Sequence, residues 1–201
     1  MIHLYSGEGR GKTSIAVGTA VRMAGAGKRV IYAQFMKGGE SSEINILETI
    51  PNVEICRVPE EFPFYGQMSE EQKCQIKAYH NAILNHVMEQ AQCFKRTGGE
   101  RQNRADCFLS GTGDEITVDK EIGEPELLVV LDEITYPVSW ALVDISLVNR
   151  LLQNLPESVE LIMTGQNPSE QMIASSDYWS ELSMERHPYE KGIKARKGVE
   201  F

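Results

Sequence analysis

A chain of 201 residues that is 41% hydrophobic and 24% charged is long enough to bury one full core and short for two independent ones. Its formal net charge of −9 speaks against a general nucleic-acid binder, because affinity for a polyanion comes mainly from clustered Lys and Arg. No apolar stretch approaches the roughly 20 residues that span a bilayer, and Met1 to Tyr5 lead straight into a motif, so a cytoplasmic protein without membrane contact is expected.

Ile2 to Tyr5 reads as a short buried strand, followed by the Gly-rich loop Gly7-Glu8-Gly9-Arg10-Gly11-Lys12-Thr13-Ser14. A helix then runs from about Thr13 to Ala24 on the stripe Ile15, Ala16, Thr19, Ala20 and Met23, with Gly25 and Gly27 as its stop. Arg29 to Phe35 and Val53 to Val58 are β-rich and predict a second and a third strand. Ser69-Glu70-Glu71-Gln72 matches a capping box and opens an amphipathic helix reaching about Phe94. The stretch 95–125, rich in Gly, Arg, Asp and Glu, reads as a solvated surface insertion with a hairpin around Glu115 to Val118. Leu127 to Leu131 is an uninterrupted apolar run ending in Asp132-Glu133, and Val159 to Met163 is another, ending at Thr164-Gly165. Ile145, Val148, Leu151 and Leu152 mark a helix between them. Asn167-Pro168-Ser169-Glu170 supplies an N-cap, a first-turn Pro and an N3 acid for one more. The pattern predicts one α/β domain over residues 1–201, a doubly wound, mostly parallel sheet with helices on both faces.

The loop carries the parts of a phosphate site. Gly7, Gly9 and Gly11 let backbone N–H groups turn inward, the following helix points its positive end at the anion, Lys12 supplies a cation, and the Thr13 hydroxyl can ligate Mg²⁺. Ser6 stands where the general pattern begins with Gly. Asp132 and Glu133 end a buried parallel strand, where carboxylates face the phosphate site and can hold Mg²⁺ or Mn²⁺ directly or through water. ATP is therefore the expected ligand, with Thr13, Asp132 and Glu133 as the candidate metal residues. The four cysteines, Cys56, Cys74, Cys93 and Cys107, form no C-x-x-C pair and have no His at ligand spacing, and His80 and His86 fall on different sides of a helix. Reduced structural thiols and no metal role are the expectation for them.

A phosphate loop does not by itself choose a reaction. The chain resembles the P-loop ATP:corrinoid adenosyltransferases, through Gly7 to Thr13, Gln34-Phe35-Met36-Lys37-Gly38, and Val130-Leu131-Asp132-Glu133-Ile134-Thr135-Tyr136. The likeness continues in Met163-Thr164-Gly165, Ser180-Glu181-Leu182 and the tail Lys191 to Phe201, while Gln166 replaces the Arg expected after Thr-Gly.

The resemblance implies a P-loop NTPase-like (RecA-like) fold and transfer of the 5′-deoxyadenosyl group of ATP to the Co(I) of a corrinoid, cobalamin or a precursor, with tripolyphosphate released. It further implies a flavoprotein-type reductant and a homodimer. No protein nucleophile is needed, since Co(I) itself attacks C5′. Lys12, Thr13 and Glu133 are then the candidate catalytic residues, stabilising the departing triphosphate. Glu8, Arg10 and Ser14 belong to the binding loop, and Lys37 either reaches a substrate or is solvated. Phe62 and Phe64 fall where the family carries the aromatic pair that displaces the lower axial ligand of the corrinoid. The basic run Lys191, Lys194, Arg196 and Lys197 reads as a surface feature. A nucleoside or nucleotide kinase, or a regulator that binds ATP or corrinoid without chemistry, are the competing readings.

Overall fold

Strands that are apolar at every position need cover on both faces, which places them at the centre of a sheet. The computed structural model, which describes residues 1–39, 41–94 and 123–199, has this arrangement. β4 (Leu127–Asp132) is buried at every position, and β2 (Arg29–Gln34) and β5 (Val159–Thr164) at all but one. With β1 (Ile2–Ser6), β3 (Val53–Arg57) and β6 (Tyr178–Glu181) they form a six-stranded sheet in the order β3-β2-β4-β5-β1-β6. Every pairing is parallel, so the sheet expected to be mostly parallel is wholly so among the described residues.

Alternation along the strands builds two cores. One face, carrying Leu4, Ile31, Val129, Leu131 and Leu161, packs on Ile76, Leu84 and Val87 of α3 (Glu70–Gln92) and Val148 and Leu151 of α5 (Ile145–Asn154). The opposite face, carrying Val30, Tyr32, Leu128, Val130 and Ile162, receives Ala16, Ala20 and Ala24 of α1 (Lys12–Gly25) and Ile44 and Leu47 of α2 (Ser42–Leu47). Alanines every fourth residue make a smooth stripe that lets α1 lie close to the sheet.

The local signals read well at their centres and drift at their ends. α1 continues through Gly25, and Gly27, at φ 76, takes the left-handed position after it. The capping box at Ser69 forms both of its bonds, Gln72 N–H to Ser69 Oγ at 3.2 Å and Ser69 N–H to Gln72 Oε1 at 2.9 Å. The cap of α6 (Glu170–Ser175) is Ser169, whose Oγ accepts from Met172 N–H, and not Asn167, which sits at φ 49 in the preceding turn. Helices α2 and α4 (Thr135–Ser139) and the edge strand β6 had no periodic signal: the helices are six and five residues long, and all four β6 residues are exposed. The hairpin expected around Glu115 lies outside the described residues, and among those described no helix is long and apolar enough to cross a membrane.

Parallel register levels the carboxyl ends of the strands. Ser6 lies opposite Glu181, Tyr5 opposite Thr164, and Gln34 opposite both Asp132 and Arg57. Such an edge is where open α/β sheets bind ligands.

Candidate active site

β1 ends at Ser6 and α1 begins at Lys12, so five residues must reverse the chain. Gly7 at φ 100 and Gly11 at φ 118 adopt backbone that a side chain would strain. Close packing adds a second reason for glycine: a Cβ on Gly7 would lie 2.4 Å from the Leu182 carbonyl oxygen, and one on Gly9 would lie 2.5 Å from that of Ser183. Gly9 N–H donates to Leu182 O at 2.7 Å, and Leu182 N–H to Ser6 O at 2.8 Å, so the residues following β6 brace the loop. Ser6 has its own role, its buried Oγ accepting from Trp179 Nε1 of β6 at 2.9 Å.

Gly11 caps α1 without any side-chain bond, which leaves the first-turn amides of Lys12, Thr13 and Ser14 to a ligand. Lys12 folds back on the loop, its Nζ donating to Gly7 O at 2.6 Å and Gly9 O at 2.8 Å. Burial lowers the Lys12 pKa, with Glu133 and Asp132 partly opposing. A cation in that environment gains most when it meets the charge of a phosphate.

Asp132 is fully buried and lies at the centre of the polar network. Its Oδ1 accepts from Thr13 Oγ1 at 3.0 Å and from Thr164 Oγ1 at 2.7 Å, so a hydroxyl from α1 and another from β5 converge on one carboxylate oxygen. Glu133 follows at φ 62, a left-handed conformation uncommon for a residue with a side chain, and its N–H donates to Thr164 Oγ1 at 2.8 Å. Lys37 completes the group, its Nζ 3.0 Å from Glu133 Oε1 and 3.9 Å from Asp132 Oδ2. Burial works against charge on Lys37, yet Glu133 and Asp132 outweigh it and hold its pKa above the usual lysine range. Burial pushes the Glu133 carboxyl up, with Lys37 opposing. Lys37 thus pairs with Glu133 while lining the same cavity as the Gly-rich loop.

The donor set next to α1 fits a hard cation. Thr13 Oγ1 and Asp132 Oδ1 are adjacent oxygens with no sulfur or nitrogen ligand among them, the chemistry that suits Mg²⁺ or Mn²⁺.

These groups open on a cavity of about 1080 Å³ lined by residues 8–14, Lys37, Glu133, Tyr136 and Phe62. The tail contributes Gly198 and Val199, and Arg10 donates to the Val199 carbonyl. Lys191, Lys194, Arg196 and Lys197 are exposed, as expected of a surface run. Phe62 and Phe64 part company: Phe62 is half-buried beside the phosphate loop with Tyr79 at a ring-centroid distance of 6.3 Å, whereas Phe64 is 86% exposed and outside the cavity lining.

Two members of the network, Ser41 and Glu43, carried no motif. Glu43 accepts from Ser41 Oγ at 2.6 Å and faces the fully buried Gln34, whose Nε2 is 3.4 Å away. Burial would raise the Glu43 pKa, but the Ser41 bond and Lys37 bring it below the usual carboxylate range. Tyr136 lines the cavity and stacks toward Trp140 at 5.2 Å, which in turn stacks on Tyr65 at 4.8 Å. Gln34 and Tyr136 stand in segments that the family resemblance picks out, whereas Ser41 and Glu43 sit at the start of a short helix with no periodicity.

The sequence profile of the family described as ATP:corrinoid adenosyltransferase BtuR/CobO/CobP matches residues 1–201. A corrinoid adenosyltransferase from Pseudomonas aeruginosa is 27% identical over 198 residues, covering 98% of this chain and 82% of its own length. Corrinoid adenosyltransferase CobA from Salmonella typhimurium is 28% identical over 202 residues, covering 100% of this chain and 85% of its own. Among solved structures, ATPases 2 and 3 of EssC from Geobacillus thermodenitrificans align at a TM-score of 0.48 and 12% identity, over 98% of this chain and 34% of that one, too loosely to bear on function. With its phosphate loop, buried strand-end acid and aromatic-bearing loop gathered at one sheet edge, and with the profile matched from end to end, the chain belongs to the ATP:corrinoid adenosyltransferase family.

Proposed function

We propose that this protein transfers the 5′-deoxyadenosyl group of ATP to the Co(I) centre of a corrinoid. The observation that carries the reading is that the phosphate loop and Phe62 line one cavity, so a triphosphate and a large apolar ring system have adjoining places. In the reaction, the electron pair on Co(I) attacks C5′, a cobalt–carbon bond forms, the C5′–O bond breaks, and tripolyphosphate leaves with the bonding pair. Nothing in this step asks for a side-chain nucleophile or base. It asks for charge stabilisation on the leaving group and for alignment of cobalt with C5′.

The residues are assigned accordingly. First-turn amides of α1 and Lys12 bind the triphosphate, Lys12 exchanging its loop carbonyls for phosphate oxygens. Thr13 and Asp132 would hold Mg²⁺ or Mn²⁺, with Glu133 near it. The ion, when bound, neutralises part of the triphosphate charge. Glu133 and Lys37 fix each other across the mouth of the site. Phe62 and Phe64 pack beneath the corrin ring, which gives an 86% exposed Phe64 a surface to cover it. A flavoprotein-type donor supplying the Co(I) state, a homodimeric assembly and a cytoplasmic location complete the proposal, all three on family resemblance.

The test is to combine the protein with ATP, Mg²⁺ and chemically reduced cob(I)alamin. A light-sensitive cobalt–carbon product together with tripolyphosphate is expected. With the reductant verified, absence of both products sinks the reading, and substrate-dependent ADP release would replace it with a kinase.

A further inference from the structure

Far from one another in sequence, Glu54, Cys56 and His86 come together on the α3 face of the edge strand. Glu54 and Cys56 are two apart on β3 and so share a face of the sheet, and His86 stands in the C-terminal third of α3. One ligand atom from each, a Glu54 carboxylate oxygen, Cys56 Sγ and a His86 ring nitrogen, lie within 4.8 Å of one another. None of the three lines the nucleotide cavity. No His stands at ligand spacing to Cys56 in the sequence; packing brings His86 to it.

We propose that Glu54, Cys56 and His86 form a zinc-type divalent metal site that clamps β3 to α3. One sulfur, one imidazole nitrogen and one carboxylate oxygen form a donor set that selects a borderline transition ion over Mg²⁺ or Ca²⁺. Ligand atoms around tetrahedral Zn²⁺ stand roughly 3–4 Å apart. The present spread of up to 4.8 Å is close to that range, and the His86 Nε2 to Glu54 Oε1 contact of 2.5 Å would open on binding. The carboxylate is already divided between two roles. Arg29 Nη2 donates to Glu54 Oε2 at 2.9 Å and to Gln90 Oε1 at 2.8 Å, which orients the group and leaves Oε1 toward His86. Outer partners of this kind position metal carboxylates. Side-chain exposures of 35% for Glu54 and 38% for His86 leave a path for the ion and a fourth position for water.

The experiment is a Co²⁺ titration of the chelator-treated full-length protein, followed by displacement with Zn²⁺. One equivalent is expected to give a near-ultraviolet thiolate-to-cobalt band with tetrahedral visible bands, and Zn²⁺ should abolish both and raise the thermal midpoint. Cys56→Ser should lose the thiolate band, while the triple variant Cys74→Ser, Cys93→Ser, Cys107→Ser keeps it. His86→Gln, at a partly exposed position, should weaken Zn²⁺ binding by about tenfold or more and keeps the test alive if Cys56→Ser folds poorly. Absence of a thiolate band at one equivalent, its survival in Cys56→Ser, or unchanged Zn²⁺ affinity in His86→Gln would overturn the proposal.

Discussion

His80 offers the most quantitative test of the packing around the site. It is fully buried on α3, its Nδ1–H donates to Leu142 O at 2.8 Å, and its Nε2 accepts from Met36 N–H at 3.4 Å, so the ring is neutral with a defined tautomer. Burial lowers its pKa to about 4, only partly opposed by the Leu142 bond. An unfolded histidine titrates near 6.5. Because the folded value is depressed, the unfolded chain binds the extra proton, and stability is full above about pH 6.5 and lost as pH falls toward about 4. The two values imply a loss of roughly 2 kcal/mol between about pH 7 and pH 5 from this residue, reaching about 3 kcal/mol at lower pH. His80→Asn removes the titrating group and costs about 1–3 kcal/mol at pH 7 through the lost bonds. Urea unfolding of both proteins across this pH range isolates the term, since all other groups titrate alike and cancel. The gap between parent and variant should narrow by roughly 2 kcal/mol at about pH 5. Parallel curves would refute a neutral, buried His80. Protonation would also remove the acceptor for Met36, which sits at φ 62 just before Lys37, so Lys37 geometry should share the pH dependence.

Lys12→Ala should lower turnover by about 10²–10³-fold. Its melting temperature should stay near that of the parent, because Nζ bonds loop carbonyls and no core group. Gly9→Ala places a Cβ 2.5 Å from Ser183 O and 2.7 Å from Leu182 O, so the loop or the segment after β6 must move; stabilisation by ATP in thermal melts should shrink or vanish. Phe64→Ala should leave stability unchanged, the side chain being 86% exposed, while slowing turnover that starts from Co(II) and sparing turnover from pre-reduced Co(I). Equal rates from Co(II) in parent and variant would remove Phe64 from the corrinoid site.

How far the site could be read before the fold was known depends on the range of the interaction. The 7–14 loop is legible because its chemistry is local: glycines, a cation and a hydroxyl at set spacing between a strand and a helix. Asp132 and Glu133 are legible because an unbroken apolar run ending in acids marks the carboxyl end of a buried parallel strand. The sequence points to Asn167 as the cap and the structure uses Ser169, two residues on, since Asn167, Ser169 and the intervening Pro168 offer two overlapping cap patterns that only backbone angles separate. Phe62 and Phe64 look equivalent as a pair, and the turn of the chain between them sends one into the cavity and leaves the other in solvent.

The amino-acid sequence by itself determined five of the six strands, the long capped helix and the phosphate loop, because hydrophobic period, caps and glycine backbone act within a few residues. Tertiary structure alone decided that Thr13 meets Asp132 across 119 positions, that Lys37 closes on Glu133, and that Leu182 seats against Gly7 and Gly9. It likewise gathered Glu54, Cys56 and His86. Contacts of that range depend on strand order and register, which are settled only when both faces of the sheet are buried at once.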